Sequence, residues 1–249
     1  MLTPERQQLI IKTVKNDHTS KIKRLVEVTG ASESTIRRDL DQLEEQGLLL
    51  RVHGGASLRN SASEELTMRE KITKFHKEKQ AIAKLAASLV KDGDCIFIDA
   101  GSTTYEMIPY LKEKNVMVVT NGLSHLNALN ENKIMTYVLG GLVKHQTGAV
   151  VGAGAIKNLQ QYRFDQCFMG ANGVTVDDGF TTPDPEEAAI KQTTLNLSRK
   201  RYILIDHSKF NEVAFLKFSD LSEAEIITNY QGKSMDDYLK KTNIKVVTT

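Results

Sequence analysis

The segment from residue 31 to residue 56 constrains the fold of this chain more than any other stretch. Ser32 has the side chain of a good helix N-cap, and Gly47 stands where a left-handed residue can end the helix. Between them, apolar residues recur at helical spacing: Ile36, Leu40 and Leu43. The residues left on the exposed side of the first turns carry hydroxyl or guanidinium groups: Ser34, Thr35, Arg37 and Arg38. Such groups read base edges or bind phosphates at the start of a DNA-recognition helix.

The residues around this helix complete a winged helix-turn-helix. Residues 48–55 predict a strand followed by a tight turn, which would form the wing. Upstream, residues 3–14 and 20–28 carry two shorter helical patterns, and Thr29-Gly30-Ala31 is a tight connection into the third helix. A solvated amphipathic helix is the alternative for residues 33–45, and the two helices before it disfavour that interpretation.

Residues 3–56 resemble the N-terminal domain of DeoR-family bacterial repressors. The resemblance rests on Ser34-Thr35-Ile36-Arg37-Arg38-Asp39-Leu40 and on His53-Gly54-Gly55-Ala56 in the predicted wing. It implies double-stranded operator DNA as a partner. With the exposed pattern above, it predicts the following DNA-contacting residues: Lys21, Ser32, Ser34, Thr35, Arg37, Arg38, Arg51 and His53.

The composition limits what the protein can be. With 249 residues, 40% of them hydrophobic and 26% charged, the chain has the composition of an ordinary globular protein. Its net charge of +2 is small, so DNA affinity would depend on where the basic side chains point and on dimerisation. The N-terminus lacks a signal-peptide pattern, and no apolar run approaches the roughly 20 residues of a transmembrane helix. We therefore expect a cytoplasmic protein with no membrane partner.

The cysteines and histidines predict neither a disulfide nor a metal site. Cys95 and Cys167 are far apart, and each lies in an apolar run typical of a buried strand. The six histidines are scattered, without the spacing of zinc ligands. We expect no metal and no cofactor.

A linker separates the first domain from a larger second one. Residues 57–65 are rich in Ser, Asn and Glu and have no periodicity. The charged run 66–79 is either a solvated helix face or a helix that packs between domains or subunits. The predicted organisation has three parts: a DNA-binding domain at 1–57, a linker at 58–75, and an effector-binding and oligomerisation domain at 76–249.

The second domain has the pattern of an α/β fold. Short apolar runs predict strands at 95–98, 116–119, 134–139, 166–169, 201–205 and 225–228. Helical patterns follow most of them, at 105–112, 123–129, 155–161, 186–199 and 235–241. Near-continuous apolar runs of this length are typical of strands buried on both faces. We therefore predict a mainly parallel, open twisted sheet flanked by helices.

Small polar residues follow five consecutive predicted strands, which indicates a polar ligand site at that edge of the sheet. The segment 101–104 opens a predicted helix, so its amides, its hydroxyls and the helix dipole favour an anion. Lys209 and Lys191 would supply countercharge, while Asp99 and Asp206 would suit sugar hydroxyls. For some of these residues another role stays open: helix capping for Asp99 and Thr103, and an ordinary surface position for Lys191.

The resemblance to the DeoR family continues through residues 75–248. Effector domains of that family bind sugar phosphates and resemble a sugar-phosphate isomerase fold that has lost its catalysis. The positions that match are Asp99, Gly101, Ser102, Thr103, Thr104, Thr120, Asn121, Gly140, Gly141, Lys191, Asp206 and Lys209. Residues 179–189 and 206–210 look most like the fructose-operon repressor subgroup, whose implied effector is fructose 1-phosphate.

Two functions compete at this point. The first is a repressor, acting as a homodimer or homotetramer, whose DNA affinity falls when a sugar phosphate binds the second domain. The second is a sugar-phosphate isomerase with an accessory DNA-binding domain, for which Asp99, Asp206 and Glu186 are the candidate bases. The specific helix-turn-helix pattern favours the repressor, so we expect no enzymatic activity.

Overall fold

The first part of the chain folds as a winged helix-turn-helix. The computed structural model describes residues 2–17, 19–46, 48–52, 54–58 and 67–248. The elements before residue 59 are α1 (Thr3–Asp17), β1 (Thr19–Lys21), α2 (Ile22–Thr29), α3 (Glu33–Glu45), β2 (Leu49–Val52) and β3 (Gly55–Leu58). The three strands form an antiparallel sheet in the order β1-β3-β2. The predicted third helix and wing are confirmed, whereas β1 was not predicted.

The start of α3 follows the capping prediction. The side chain of Ser32 accepts a hydrogen bond from the backbone N–H of Thr35 at 3.3 Å, which satisfies one of the free donors of the first turn. Gly30 ends α2 in the left-handed conformation, with φ of 69°. The predicted apolar face of α3 is buried: Ile36, Leu40 and Leu43. Gly47 and His53 lie outside the described residues.

An ion pair joins α1 to α3 through the buried side of the recognition helix. Asp39 is 2% exposed, and its two carboxylate oxygens accept hydrogen bonds from Arg6 Nε at 2.5 Å and from a second guanidinium nitrogen at 3.0 Å. This hydrogen bond raises the pKa of Arg6 above its ordinary value. Asp39, which follows Arg37 and Arg38 in α3, therefore fixes the position of α3 relative to α1.

The small residues of the wing allow the strands to pack closely. A Cβ atom added to Gly55 would lie 2.3 Å from the carbonyl oxygen of Ser20 in β1, so a larger residue there would push the strands apart. The next residue, Ala56, is fully buried against the helices. Glycine is therefore required at residue 55 for strand packing.

The second part contains an α/β domain. Its helices are α4 (Met68–Thr73), α5 (His76–Ser88), α6 (Ser102–Tyr105), α7 (His125–Glu131), α8 (Ala153–Leu159), α9 (Pro185–Asn196) and α10 (Met235–Leu239). Its strands are β4 (Cys95–Ile98), β5 (Met117–Thr120), β6 (Met135–Val138), β7 (Leu142–Val143), β8 (Val150–Val151), β9 (Phe164–Met169), β10 (Gly173–Thr175), β11 (Gly179–Thr182), β12 (Ser198–Leu204), β13 (Leu216–Ser219), β14 (Glu225–Thr228) and β15 (Ile244–Val246).

Seven of these strands form a parallel sheet in the order β15-β14-β12-β9-β4-β5-β6. Apolar side chains from both faces of its central strands are fully buried, as the continuous apolar runs predicted. Both cysteines are free thiols; Cys167 is fully buried, as predicted, whereas Cys95 is only partly buried. The fold class predicted from the sequence is therefore confirmed.

The structure differs from the sequence prediction at several elements. The predicted helix at 105–112 is wrong: α6 is a single turn at Ser102–Tyr105, and a 3-10 turn follows at Ile108–Leu111. Pro109 explains the difference, because it has no N–H to donate and its ring clashes with the carbonyl four residues earlier. The predicted helix at 186–199 ends at Asn196, and Ser198 already pairs with β9.

The smaller sheets were also missed, and the predicted linker is partly helical. Strands β10, β11 and β13 form an antiparallel sheet, and β7 pairs with β8. The predicted linker at 58–75 contains α4, which opens with a capping box between Thr67 and Glu70. The backbone N–H of Met68 donates to the carbonyl of Gln146 at 3.2 Å, so α4 packs on the second domain. Residues 59–66 lie outside the described part of the chain.

The described residues contain no helix that is long and apolar enough to span a lipid bilayer.

Candidate functional sites

The parallel sheet has a single point at which the chain changes direction. From β4 the chain runs outward through β5 to β6, and then returns to β9 on the other side of β4. In open α/β sheets, ligands bind in the crevice beyond the carboxyl ends of the strands at such a point. Asp99 follows β4 there, and Gly170 follows β9.

A buried ion pair occupies this crevice. Lys191, on α9, is 5% exposed, and Asp99 is 3% exposed. Lys191 Nζ donates a hydrogen bond to Asp99 Oδ2 and another, at 3.0 Å, to the carbonyl of Gly170. Asp99 Oδ2 also accepts the backbone N–H of Gly170 at 3.1 Å. Lys191 is therefore not a surface lysine, and its charge is already balanced by Asp99 before a ligand binds.

Three predicted site residues support the loop after β4 rather than line the crevice. Thr104 is fully buried, and its Oγ1 lies 2.6 Å from the carbonyl of Asp99 and 2.8 Å from that of Gly101. Thr120 Oγ1 donates to the carbonyl of Ile98 at 2.6 Å. Asn121 Oδ1 accepts the backbone N–H of Ala100 at 2.9 Å. Because these polar groups are buried and hydrogen-bonded to the backbone, they stabilise the conformation of the loop.

The solvent-facing part of the same loop keeps unused polar groups. Ser102 and Thr103 are less than a tenth exposed, and neither hydroxyl has a hydrogen-bond partner among the residues that the structure describes. Asp99 Oδ1 likewise has none among them. Since α6 has only four residues, its dipole is small, and the hydroxyls rather than the dipole would attract a ligand.

The remaining predicted residues lie at neighbouring strand ends. Gly140 and Gly141 are exposed beyond β6, and a Cβ atom on Gly141 would lie 2.5 Å from the carbonyl of Val151. Asp206 is 2% exposed and caps a 3-10 turn by accepting the backbone N–H of Ser208 at 2.9 Å. Lys209 ends this turn, half-buried, and burial lowers the pKa of its ammonium group.

Sequence reasoning missed two buried basic residues beside these loops. His125, on α7, is fully buried, and its Nε2 lies 3.5 Å from Thr104 Oγ1. Lys79, on α5, is 4% exposed. A signal for Lys79 was present, because it precedes the buried residues Ile82, Ala83 and Ala86 at the spacing of one helix face. The signal for His125 was weaker: it precedes the buried Leu129 by four residues, but its contacts with Thr104 and Tyr105 come from a distant part of the sequence.

A polar cluster joins the loop before β8 to the start of α9. Glu187 Oε1 accepts hydrogen bonds from Lys144 Nζ at 2.9 Å and from Thr147 Oγ1 at 2.8 Å. Lys144 also pairs with Asp184, which caps α9. These contacts give Asp184 and Glu187 a structural role.

Most of the predicted DNA-contacting residues are exposed. Lys21, Ser32, Ser34, Arg37 and Arg38 are exposed, and Thr35 is half-buried. Arg37 pairs with Glu33 one turn earlier, and Arg51 pairs with Asp41. The described residues give Arg38 no ion pair. Among all the residues that the structure describes, in both domains, no three His, Cys, Asp or Glu side chains lie close enough together to hold a metal ion.

The burial of His125 makes stability depend on pH. Burial lowers its pKa from 6.5 to about 4, so the unfolded chain binds a proton at a pH where the folded protein does not. We expect His125 to remove roughly 2 kcal/mol of stability between pH 7 and pH 4.5. Denaturant unfolding at both pH values should show a smaller loss for His125→Gln than for the wild type. Substitution of the exposed His145 by Gln should leave the difference unchanged; an unchanged loss in His125→Gln would contradict this assignment.

Two family models match separate parts of the chain. Residues 6–62 match the DeoR-like helix-turn-helix domain, and residues 74–230 match the DeoR C-terminal sensor domain. The uncharacterized HTH-type transcriptional regulator FruR of Bacillus subtilis (strain 168) is 49% identical over 249 residues, covering 99% of both chains. A lactose phosphotransferase system repressor of Staphylococcus epidermidis is 36% identical, covering 90% of both chains.

A solved structure was also matched. The chain aligns with ribose 5-phosphate isomerase A from Methanocaldococcus jannaschii at a TM-score of 0.41 and 21% identity, over 54% of each chain. The family assignment rests on the two domain matches and the full-length relatives, and not on this structural match. This chain belongs to the DeoR family, with the helix-turn-helix and sensor domains of that family.

Proposed function

We propose that this protein represses a sugar-catabolic operon and leaves its operator when fructose 1-phosphate binds the sensor domain. The observation that carries the proposal is the crevice at Asp99, where a neutralised ion pair lies beside unused hydroxyls of Ser102 and Thr103. A carboxylate oxygen and small hydroxyls suit the hydroxyl groups of a sugar. Lys209 supplies positive charge for a phosphoryl group. The resemblance of residues 179–189 and 206–210 to the fructose-operon repressor subgroup supports fructose as the sugar. A protein that binds operator DNA in a bacterium would be cytoplasmic.

The alternative of a sugar-phosphate isomerase has less support from the geometry. Such an enzyme needs a carboxylate base that is free to take a proton from the sugar. Asp99 is paired with Lys191, Asp206 caps a 3-10 turn, and Glu186 is exposed at the start of α9. Incubation with ribose 5-phosphate and fructose phosphates should therefore produce no interconversion.

The DNA-binding proposal rests on the exposed first turns of α3. Replacing Arg38 by Ala should reduce operator affinity, because a bidentate base contact is worth ~1–3 kcal/mol per subunit. Arg37→Ala should act in the same direction. Gel shifts on the upstream DNA of the gene at physiological salt would measure the loss. Arg163→Ala, an exposed change in the sensor domain, is the matched control; an Arg38→Ala protein that shifts DNA like this control would contradict the proposal.

The effector proposal predicts a requirement for phosphate on the sugar. Fructose 1-phosphate should release the operator and free fructose should not, and a 100-fold loss of DNA affinity needs roughly 2.7 kcal/mol of coupling. Calorimetry and gel shifts with fructose, fructose 1-phosphate, fructose 6-phosphate and ribose 5-phosphate would identify the effector. Lys209→Ala should keep operator binding but need much more ligand for release, whereas the exposed Lys233→Ala should behave as wild type. Equal binding of fructose and its phosphates would refute this site.

We also propose that the protein is a homodimer or homotetramer, since one small domain of this kind offers few DNA contacts. The edge of the sheet at β6 supports a contact with a second copy. Met135, Tyr137 and Val138 are exposed, and residues 134–143 include no charged side chain. Edge strands of monomeric proteins are usually protected by charge. Two copies of this edge can meet without repulsion between like charges.

The assembly proposal can be tested by charging that edge. A Met135→Lys, Tyr137→Lys protein should be mainly monomeric in sedimentation at micromolar concentration, where the wild type should be a dimer or tetramer. Phe215→Lys introduces the same charge at another exposed apolar position and should not change the assembly. A monomeric wild type, or a double variant that assembles like the wild type, would show that β6 is not the contact.

A further inference from the structure

An arginine of the wing contacts two carboxylates of the recognition helix. The backbone N–H of Arg51, in β2, donates a hydrogen bond to Glu44 Oε1 at 2.8 Å. Its guanidinium group forms an ion pair with Asp41. Asp41 and Glu44 are three residues apart in α3, so they are neighbours on one side of the helix, and the contacts show that this side faces the wing.

The same side of α3 borders a cleft between the helix and the wing. The cleft has a volume of about 530 Å³, and the residues that line it are Arg37, Glu44, Arg51, Val52 and Gly54. Both arginines of the cleft are paired, Arg37 with Glu33 and Arg51 with Asp41. Carboxylates of α3 therefore neutralise both guanidinium groups before DNA is present.

The two contacts of Arg51 differ in how easily they can be exchanged. The side chain of Asp41 is 58% exposed and that of Arg51 is 28% exposed, so water and a ligand can reach the ion pair. An exposed ion pair is weak and exchanges its partners readily. The bond to Glu44 uses the backbone of Arg51, so it can hold β2 on α3 while the guanidinium group changes partner.

We propose that Asp41 competes with the DNA backbone for Arg51, so that Arg51 binds a phosphate only after it leaves Asp41. The inference rests on the proposed DNA binding, and it adds Asp41 and Glu44 as positioning residues. A carboxylate and a phosphate both accept two parallel hydrogen bonds from a guanidinium group, so either anion can occupy Arg51. Since binding exchanges one anion for another, the phosphate contact adds less affinity than an unpaired arginine would add. A phosphate contact carries no sequence information, so the competition weakens binding to any DNA duplex.

Removing the charge of Asp41 should therefore strengthen DNA binding. Asp41→Asn should raise the affinity of the full-length protein for DNA by about twofold to fivefold per subunit, which is the worth of an exposed ion pair. The gain should be the same on the upstream DNA of the gene and on a duplex of unrelated sequence. Fluorescence anisotropy with labelled duplexes, without a sugar phosphate, measures both affinities. A gain on the upstream DNA alone would overturn the assignment of Arg51 to a phosphate.

A matched control loses the same charge on the same helix. Glu45 is exposed and has no ion pair anywhere in the ranges that the structure describes, so Glu45→Gln should give a clearly smaller gain. Asp41→Ala, which removes the carboxylate and favours the helix, should give the same gain as Asp41→Asn and replaces it if that variant does not fold. Equal gains from Asp41→Asn and Glu45→Gln would overturn the proposal.

A second background separates the release of Arg51 from the loss of negative charge near DNA. In an Arg51→Gln protein, Asp41→Asn has no arginine to release and should give no gain in affinity. A gain that persists in this background would also overturn the proposal. Because the expected result in the wild-type background is tighter binding, misfolding of a variant cannot imitate it.

The two duplexes distinguish failure of this inference from failure of the proposed function. If the wild type prefers the upstream DNA and Asp41→Asn binds neither duplex more tightly, the repressor proposal stands and the competition fails. If Asp41→Asn shows the expected gain but the wild type has no preference for the upstream DNA, the competition stands and the operator assignment fails. If the wild type binds neither duplex at low salt, both are overturned.

Discussion

The ion pair between Lys191 and Asp99 is the interaction on which the sensor domain depends. It joins α9 to the loop after β4, and the same lysine bonds the carbonyl of Gly170 after β9. Removing one partner of a buried pair leaves an uncompensated charge, which is typically far more costly than never having the pair. The pair therefore fixes α9 against the loops after β4 and β9, which border the crevice. Because Lys191 is paired with Asp99, the positive charge for an anionic ligand would have to come from another residue, and Lys209 is the one we propose.

Local patterns in the sequence were sufficient for the winged helix-turn-helix and for the parallel sheet. Ser32 caps α3 and the apolar spacing of Ile36, Leu40 and Leu43 marks its buried face, because both effects act within a few residues. Continuous apolar runs located the central strands for the same reason. The prediction failed at Pro109, where one residue outweighed an otherwise helical pattern.

The parts of the site that sequence did not reveal depend on contacts between distant residues. Asp99 and Lys191 were both predicted as site residues. Their ion pair was not predicted, because the two residues are 92 positions apart in the sequence. Thr104 and Thr120 looked like ligand hydroxyls, yet burial assigns them to backbone carbonyls. Lys79 lies at the end of the charged segment 66–79, and one of the two interpretations of that segment was a packed helix. Only the fold could show that its charge is on the inner face, next to Asp206.

The bond between Arg6 and Asp39 has a consequence for how operator preference can change. Asp39 holds α3 from its buried side, while Ser34, Arg37 and Arg38 are exposed on the same helix. The anchoring contact and the proposed base contacts therefore belong to different side chains. Substitutions at the exposed positions can alter which bases are preferred without loosening the helix on its support. The base preference of the winged domain could therefore change, by evolution or by engineering, while the position of α3 stays the same.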